Sequence, residues 1–284
     1  MATDMGSDTY LSVCAIFRDE APYLREWIEF HRLVGVERFF LYNNRSADAH
    51  EQVLAPYLDD GSLELRDWPV FPGQIAAYDN CLETHRNDTR WIAFIDTDEF
   101  LFSPTDKTLL ETLAEFERWP GVGVNRLRFG ASGHRTKPSG LVIENYVHRA
   151  PPQRYLIKTI ADPRRTVRCL TAHAFEYADG WAVDENHRPL DPSREVPRRG
   201  PGAGRVYTES FSVDRLRINH YVTKSEEEHL ARSRRRQADT GEPRRSAVLK
   251  LPNFEKERDD TILRYLPELR ERLTRLPPVP AGLG

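Results

Sequence analysis

Short apolar runs alternate with amphipathic stretches over residues 11–95, and this alternation constrains the fold more than any other feature of the sequence. The first run, 11–17 (LSVCAIF), is typical of a strand buried on both faces. Pro22 then begins a helical pattern that Gly35 ends. Such strand–helix alternation predicts an α/β fold with a mainly parallel, Rossmann-like sheet flanked by helices. The further predicted strands are 38–42, 62–66 and 91–95, and the further predicted helices are 49–59 and 74–86.

The regular alternation fades after about residue 121, and strand-like pieces joined by turns replace it. Residues 191–204 are rich in Pro, Gly and Arg, which is typical of a mobile loop. A mixed rather than purely parallel sheet is therefore expected. The predicted later elements are strands at 122–129, 154–160, 167–177 and 215–222, a hairpin at 181–190, and helices at 226–237 and 258–275.

The overall composition excludes several classes of protein. The 284 residues include 41 Lys+Arg and 44 Asp+Glu, a net charge of −3, which argues against a nucleic-acid-binding protein. No segment approaches the ~20 apolar residues of a membrane span, and no secretory signal is visible. The three cysteines are far apart and odd in number, as in a protein from a reducing compartment. We therefore expect a cytoplasmic protein with no transmembrane segment.

An acidic pair, Asp96 and Asp98, directly follows the fourth predicted strand. At a spacing of two residues the two carboxylates project the same way, and they suit a hard cation such as Mg²⁺ or Mn²⁺ that also binds phosphate oxygens. The Asp-x-Asp pattern also occurs in ordinary solvated turns, so its position after a buried strand is stronger evidence for a cation site than the pattern itself. Because the carboxyl ends of parallel strands share one edge, the polar residues after strands one and two, Arg18, Asp19 and Asn44, should lie at the same rim.

Several motifs follow one another in order over about residues 11–232. They are Arg18-Asp19-Glu20, Tyr23-Leu24-x-Glu26-Trp27, His31, Gly35-Val36, Leu41-Tyr42-Asn43-Asn44-x-Ser46, Trp91-Ile92-x-Phe94-Ile95-Asp96-x-Asp98-Glu99-Phe100, Phe129-Gly130-x-Ser132-Gly133-His134 and Ile218-Asn219-His220-Tyr221-x-x-Lys224-Ser225-x-Glu227-Glu228. Together they are far more specific than any single motif, and their order resembles glycosyltransferase family 92 and shades into the broader family 2 type. The resemblance implies a GT-A fold, a nucleotide-sugar donor with UDP the expected nucleotide, a divalent metal and inversion at the anomeric carbon.

Carried onto this sequence, the resemblance implies that Asp96 and Asp98 hold Mn²⁺ or Mg²⁺ on the donor diphosphate. His220 stands where the family motif places its own histidine, as a third metal ligand. Lys224 is expected either to contact the phosphates or to begin a solvated helix. The remaining residues expected at the donor are Arg18, Asp19, Asn44, Gln74, Tyr78 and Asp79, which lie after the first two strands and on the third helix.

The acceptor is expected at the small, polar segment formed by Gly130, Ser132, Gly133 and His134. This chain has Ala131 where the family pattern has serine, so a side-chain contact from that position is not expected. An inverting transfer needs a base to take the proton of the acceptor hydroxyl. Four residues remain candidates for that base: Glu176, Glu227, Glu228 and His134. The run that contains Glu227 and Glu228 is equally consistent with an exposed first helical turn.

These observations predict one GT-A catalytic domain over 8–255, with a nucleotide-binding part at 8–103 and an acceptor-binding part at 121–237, followed by a helical extension at 256–284. The predicted function is a metal-dependent glycosyltransferase acting on a glycan or other hydroxyl acceptor. A non-catalytic nucleotide-sugar or glycan-binding protein is the alternative. A dehalogenase-type phosphatase is disfavoured, because that class carries its acidic pair at the first strand.

Arginine clusters in the later part of the chain have two interpretations. They are either ordinary solvated faces or a surface that attracts an anionic acceptor or an anionic membrane, to which the protein would bind peripherally. No aromatic residues are interleaved with them as in a nucleic-acid-binding surface. The clusters are Arg164-Arg165-x-x-Arg168, Arg198-Arg199, Arg232-x-Arg234-Arg235-Arg236 and Arg244-Arg245.

Overall fold

A six-stranded mixed sheet with helices on both faces forms the centre of the structure, a computed structural model that describes residues 9–152, 156–190, 207–233, 238, 240–242 and 256–278. The strands are β1 (Thr9–Phe17), β2 (Arg38–Asn43), β3 (Leu63–Asp67), β4 (Thr89–Phe94), β5 (Glu99–Phe102), β6 (Gly121–Val124), β7 (Arg126–Arg128), β8 (His148–Arg149), β9 (Lys158–Ala161), β10 (Thr166–Thr171), β11 (Ala174–Tyr177), β12 (Arg217–His220) and β13 (Glu257–Arg258). The α-helices are α1 (Ala21–Leu33), α2 (His50–Asp59), α3 (Gln74–Thr84), α4 (Leu109–Ala114), α5 (Val142–Asn145), α6 (Glu226–Ser233) and α7 (Leu266–Arg275), and a 3₁₀ helix spans Thr261–Tyr265.

The central sheet has the order β3-β2-β1-β4-β9-β6. The first four strands are mutually parallel, and β9 pairs antiparallel with both β4 and β6. This arrangement confirms the mixed, Rossmann-like α/β fold predicted from the sequence. The carboxyl ends of β1, β2 and β4 therefore meet at one edge, where ligands bind in sheets of this kind.

Alternate residues of β1 face two different hydrophobic cores, as the pleat of a strand requires. Val13 and Ala15 pack in the larger core, which includes residues of α1, α2 and α7. Cys14 and Ile16 pack in a second core with residues of α3. The two-sided burial explains why β1 is apolar throughout. The three cysteines are free thiols, and all three are buried.

A second sheet, β5-β12-β7, brings distant parts of the chain to the end of β4. In this sheet β12 pairs antiparallel with β5, and His220 lies opposite Glu99 in the register. On its other side β12 pairs parallel with β7, so that His220 lies opposite Arg128. The turn between β4 and β5, which contains the acidic pair, thus connects the two sheets.

Several elements differ from the sequence prediction. The strand expected at 122–129 is divided at Asn125 into β6 of the central sheet and β7 of the second sheet. The strand expected at 167–177 is the hairpin β10–β11, and in the expected hairpin at 181–190 the described pairing is the single antiparallel bridge Val183–Pro189.

The ends of the chain also show differences. The C-terminal helix begins only at Leu266, because a 3₁₀ helix precedes it and Pro267 favours a helix start. Helix α6 is described to Ser233, and the predicted loop 191–204 lies outside the described residues. None of the described helices combines the length and the apolar character that a bilayer span requires.

Candidate functional site

Asp96 and Asp98 lie in the turn after β4, at the edge where the sequence placed them. The side chain of Asp96 is 30% exposed and that of Asp98 is 3% exposed. A buried carboxylate must be paired, so the partners of these two residues define the site. Their side-chain partners come from four separated parts of the chain: α3, β9, β12 and α6.

A buried lysine holds Asp96. Lys158 Nζ, on β9, lies 2.9 Å from Asp96 Oδ1, and Gln74 Nε2 donates a hydrogen bond to the same oxygen at 2.8 Å. Burial by itself would raise the pKa of Asp96, but the ammonium of Lys158 outweighs burial and lowers that pKa to about 2. Gln74 also donates to the hydroxyl of the buried Tyr78 at 3.0 Å. Two of the predicted donor residues, Gln74 and Tyr78, therefore belong to one network with Asp96.

An arginine and a histidine hold one oxygen of Asp98. Arg232 Nη1, at the end of α6, pairs with Asp98 Oδ2, and His220 Nε2 lies 3.4 Å from the same atom. Burial would raise the pKa of Asp98, but Arg232 and His220 together hold it well below its usual range. The other oxygen, Oδ1, is buried and makes no hydrogen bond. An unpartnered carboxylate oxygen in such a position is an available ligand atom.

Glu99 is fully buried behind the acidic pair and organises the turn. Its side chain accepts a hydrogen bond from Arg126 Nη1 at 2.6 Å and another from the backbone N–H of Asp96 at 2.9 Å. Its backbone carbonyl accepts from Trp27 Nε1 at 2.8 Å. Arg126 Nη1 also lies 3.5 Å from His220 Nδ1, which links the second sheet to the imidazole. These contacts fix the turn from behind.

Sequence reasoning did not assign Glu99, Arg126, Lys158 or Arg232 individually to this site. A usable signal existed for one of them: Lys158 is the cation within the largely apolar run 155–161 (YLIKTIA). Since lysine and arginine are almost never fully buried without a partner, a cation in such a segment indicates a buried carboxylate nearby. Nothing local indicates which carboxylate that is.

The other residues predicted at the donor mostly shape the loops around the edge. Asp19 Oδ1 accepts from the backbone N–H of Ala47 at 2.8 Å, and Asn44 Nδ2 donates to the carbonyls of Trp68 and Val70 at 2.7 and 2.8 Å. The side chain of Arg18 is 52% exposed beside Asp19. Asp79 accepts from the backbone N–H of Cys169 at 2.5 Å and so holds β10 against α3.

Lys224 lies between α1 and α6, next to this edge. Its Nζ is 3.4 Å from Glu20 Oε2 and 3.1 Å from the ring centroid of Tyr23. The side chain of Lys224 is 8% exposed, so the expectation of a solvated lysine at the start of a helix is wrong. A contact with donor phosphates stays a prediction.

The predicted acceptor segment folds back on its neighbours. Ser132 Oγ accepts a hydrogen bond from the backbone N–H of His148 at 3.0 Å, and Gly130 N–H donates to the carbonyl of His148 at 2.9 Å. Gly133 is exposed with a φ of +81°, a conformation that favours glycine. His134 Nε2 lies 3.2 Å from the carbonyl oxygen of Asn145. The segment is thus a defined turn beside α6.

Two of the four predicted base candidates have their carboxylates engaged elsewhere. Glu228 accepts hydrogen bonds from the hydroxyls of Tyr23, Tyr146 and Ser225 and from the backbone N–H of Ser225, and these bonds lower its pKa despite partial burial. Glu176 is paired with Arg168 at 2.6 Å on the β10–β11 hairpin. A carboxylate that is saturated with donors is a weak proton acceptor, which favours an anchoring role for Glu228.

Glu227 and His134 remain the other two candidates. Glu227 is exposed on α6, and its Oε2 accepts from the backbone N–H of Lys137 at 3.1 Å. This contact of Glu227 and the contact of His134 with Asn145 do not identify a base. All four base assignments stay predictions.

The residues of the acidic turn fit a divalent cation through two ligands. Asp98 offers the unpartnered Oδ1, and His220 Nε2 is adjacent to the same carboxylate. The described part of the chain contains no ready-made cluster of three or more histidine, cysteine or carboxylate ligands. A hard cation such as Mg²⁺ can take one or two protein carboxylates and complete its shell with water and substrate phosphates.

The arginine clusters are only partly described. Arg165 pairs with Asp179 at 2.5 Å and Arg168 with Glu176, so part of the first cluster is neutralised within the hairpin region. Arg232 belongs to the site itself, through Asp98. The clusters at 198–199, 234–236 and 244–245 lie outside the described residues.

An acidic pair, a histidine and several cations thus lie together at the carboxyl edge of an α/β sheet, which is where proteins of this class bind their ligands. Residues 8–236 match the sequence profile of glycosyltransferase family 92, and the chain belongs to that family.

Among curated proteins, the chain is similar to "Glycosyltransferase family 92 protein Os08g0121900" of Oryza sativa subsp. japonica, with 36% identity over 159 residues, 54% of this chain and 27% of that protein. It is also similar to "Beta-1,4-galactosyltransferase galt-1" of Caenorhabditis elegans, with 26% identity over 172 residues, 55% of this chain and 40% of that protein. The chain thus spans well under two thirds of the length of these relatives. Among solved structures, S. aureus TarS 1-349 in complex with UDP aligns with a TM-score of 0.39 and 13% identity, over 55% of this chain and 47% of that chain.

Proposed function

We propose that this chain is a cation-dependent glycosyltransferase that moves a hexose from a UDP-sugar to a hydroxyl acceptor with inversion. The single observation that carries the proposal is the buried, unpartnered Oδ1 of Asp98 beside His220, at the sheet edge where nucleotides bind. Family membership supports the transfer of a sugar. The name of the nematode relative makes UDP-galactose the first donor to test.

In this proposal Asp98 and His220 hold Mn²⁺ or Mg²⁺, with Asp96 beside them. Such a cation neutralises the charge that develops on a diphosphate leaving group. The protein's own cations support the same end: Lys158 balances Asp96 and Glu99, so that three carboxylates remain close together without excess negative charge. Arg232 at the end of α6 balances Asp98 and lies where an incoming diphosphate would bring further negative charge.

The buried contacts of Glu99 keep this arrangement rigid. Arg126 and the backbone N–H of Asp96 both bind its carboxylate, so the acidic turn does not need to reorganise when a charged ligand binds. Preorganised charges of this kind are the largest source of electrostatic rate enhancement in enzymes.

The test is turnover and donor binding with a panel of nucleotide sugars and Mn²⁺. We expect the wild type to hydrolyse or transfer from one of them, with UDP-galactose first, and Asp98→Ala to lose both this activity and Mn²⁺ affinity. Donor binding without any turnover would indicate the non-catalytic alternative. The proposal fails if no nucleotide sugar binds or reacts and Asp98→Ala leaves Mn²⁺ affinity unchanged.

A further inference from the structure

A partly open cavity of about 300 Å³ lies where α1, the 137–146 segment, α6 and α7 meet. Among the residues predicted above for the donor, the acceptor or the base, only Glu228 lines it. Its volume is at the lower end of the range for small-molecule sites. Its walls combine apolar faces with hydrogen-bonding groups, and the residues that matter here are Tyr23, Arg25, Lys137, Ser139, Tyr146 and Glu228.

The aromatic wall of the cavity is held rigidly. The hydroxyls of Tyr23 and Tyr146 both donate to the carboxylate of Glu228, the latter at 2.7 Å. Ser225 donates to the same carboxylate through Oγ at 2.6 Å. Because two phenol groups from different elements share one acceptor, their rings are fixed before any ligand arrives, which lowers the entropic cost of binding.

One donor at the cavity is open to a ligand. The ammonium of Lys137 lies 5.0 Å from the ring centroid of Tyr23, and Lys137 is exposed. The Nε–H of Arg25, which also lines the cavity, is buried and makes no hydrogen bond, so the donor that faces a ligand is Lys137. Glu26 and Glu228 line the cavity as well, and burial raises the pKa of Glu26 to about 7. Acidic and basic side chains are therefore both present in the walls.

The cavity adjoins the acidic turn through α6. Glu228 lies one helical turn, about 6 Å along the axis, before Arg232, which contacts Asp98. Lys224 connects the two places as well, because it touches the Tyr23 ring and pairs with Glu20. The 137–146 wall continues directly from the turn formed by residues 130–134. A chain that reacts near Asp98 would therefore extend toward this cavity.

We propose that this cavity binds a neutral pyranose unit of the acceptor glycan, away from the unit that receives the sugar; this inference rests on the proposed function. Pyranose rings present apolar C–H faces and several hydroxyls. The apolar faces match the phenol rings and prolines of the cavity, and the hydroxyls match its hydrogen-bonding groups. Ligands of one charge sign match it less well, because acidic and basic side chains both line the cavity.

The test measures glycan binding separately from donor chemistry. The probes are neutral tetrasaccharides of galactose, glucose, mannose or N-acetylglucosamine, with tetragalacturonate as the anionic comparison. The variants are Ser139→Trp, which fills the cavity from an exposed wall residue, and Lys137→Met, which removes one available donor. Arg135→Met is the matched control, because Arg135 is an exposed cation two residues before Lys137 and does not line the cavity.

We expect one neutral tetrasaccharide to bind the wild type and Arg135→Met with equal affinity. The same tetrasaccharide should bind Ser139→Trp at least about tenfold more weakly. Lys137→Met should weaken it less, and the hydrolysis of UDP-galactose in water should be the same in all four proteins. The proposal is overturned if no neutral probe binds, if Ser139→Trp binds as the wild type does, or if only tetragalacturonate binds. If donor hydrolysis persists in any of these cases, the proposed function stands; if it is absent in the wild type, that function fails instead.

Discussion

We expect Arg232 to compete with a divalent cation for Asp98, so that replacing Arg232 tightens metal binding. Arg232 Nη1 pairs with Asp98 Oδ2, and the two side chains are 23% and 3% exposed. In Arg232→Met the carboxylate keeps His220 but loses its main cationic partner, so its charge becomes available to Mn²⁺. A hydrogen bond to a charged group contributes about 1.5–3 kcal/mol, which corresponds to a gain of about 10- to 100-fold in affinity for Mn²⁺ alone.

The assay is a titration of Mn²⁺ in the absence of nucleotide. Binding is measured by calorimetry or from the electron paramagnetic resonance signal of the free ion. Thermal unfolding gives a second readout: without metal Arg232→Met should unfold at a lower temperature, because Asp98 is buried and poorly compensated, and Mn²⁺ should recover the loss. Arg232→Lys should resemble the wild type more closely. Arg275→Met removes an exposed arginine that pairs with Glu271 on α7 and is the control for charge loss. Unchanged or weaker Mn²⁺ affinity in Arg232→Met would refute the competition.

Three further predictions concern the surroundings of the site. Lys158→Met leaves Asp96 and Glu99 without their buried ammonium, so we expect a loss of about 3–5 kcal/mol in the free energy of unfolding, measured with urea. A loss below about 1 kcal/mol would contradict buried ion pairing between Lys158 and these two carboxylates. Asp259 is paired with Arg217 and Arg149, and despite partial burial these lower its pKa from 3.8 to about 2, so its stabilisation is complete above pH 3.8 and is lost as the pH falls toward 2. Asp259→Asn should therefore cost about 2 kcal/mol at pH 7 and almost nothing at pH 2, and a pH-independent difference would refute this. Glu228→Gln should loosen α6, because this helix has no buried residue of its own. Hydrogen exchange of the α6 amides should then be faster than in the wild type, while that of the α1 amides stays the same. Equal protection of α6 in the wild type and the variant would show that Glu228 does not anchor the helix.

The central part of the fold was predictable because its signals are local. Three of the first four strands, β1, β2 and β4, are short and largely apolar runs, and each of the four is followed by a helix or a polar turn. The edge that carries Asp19, Asn44 and Asp96 follows from the parallel topology alone. Gln74 was also correctly expected near this edge, and it bonds directly to Asp96.

The rest depends on pairing between distant segments, which no local pattern encodes. Antiparallel pairing of β9 with β4 places Thr159 opposite Phe94, and so brings Lys158 next to Asp96. The division of one predicted strand at Asn125 sends Arg126 into the second sheet, where it reaches Glu99. Residues from both predicted parts, 8–103 and 121–237, form the central sheet, because β6 and β9 pair onto the strands of the first part.

The central claim is that Asp98 couples a divalent cation to a nucleotide diphosphate. The direct measurement is calorimetric titration of UDP into the wild type, Asp98→Asn and the control Asp106→Asn, an exposed acid, with and without Mn²⁺. We predict that Mn²⁺ tightens UDP binding by about tenfold or more in the wild type and in Asp106→Asn, and that Asp98→Asn abolishes this coupling. Equal UDP affinity with and without Mn²⁺ in the wild type, or full coupling in Asp98→Asn, would contradict the claim.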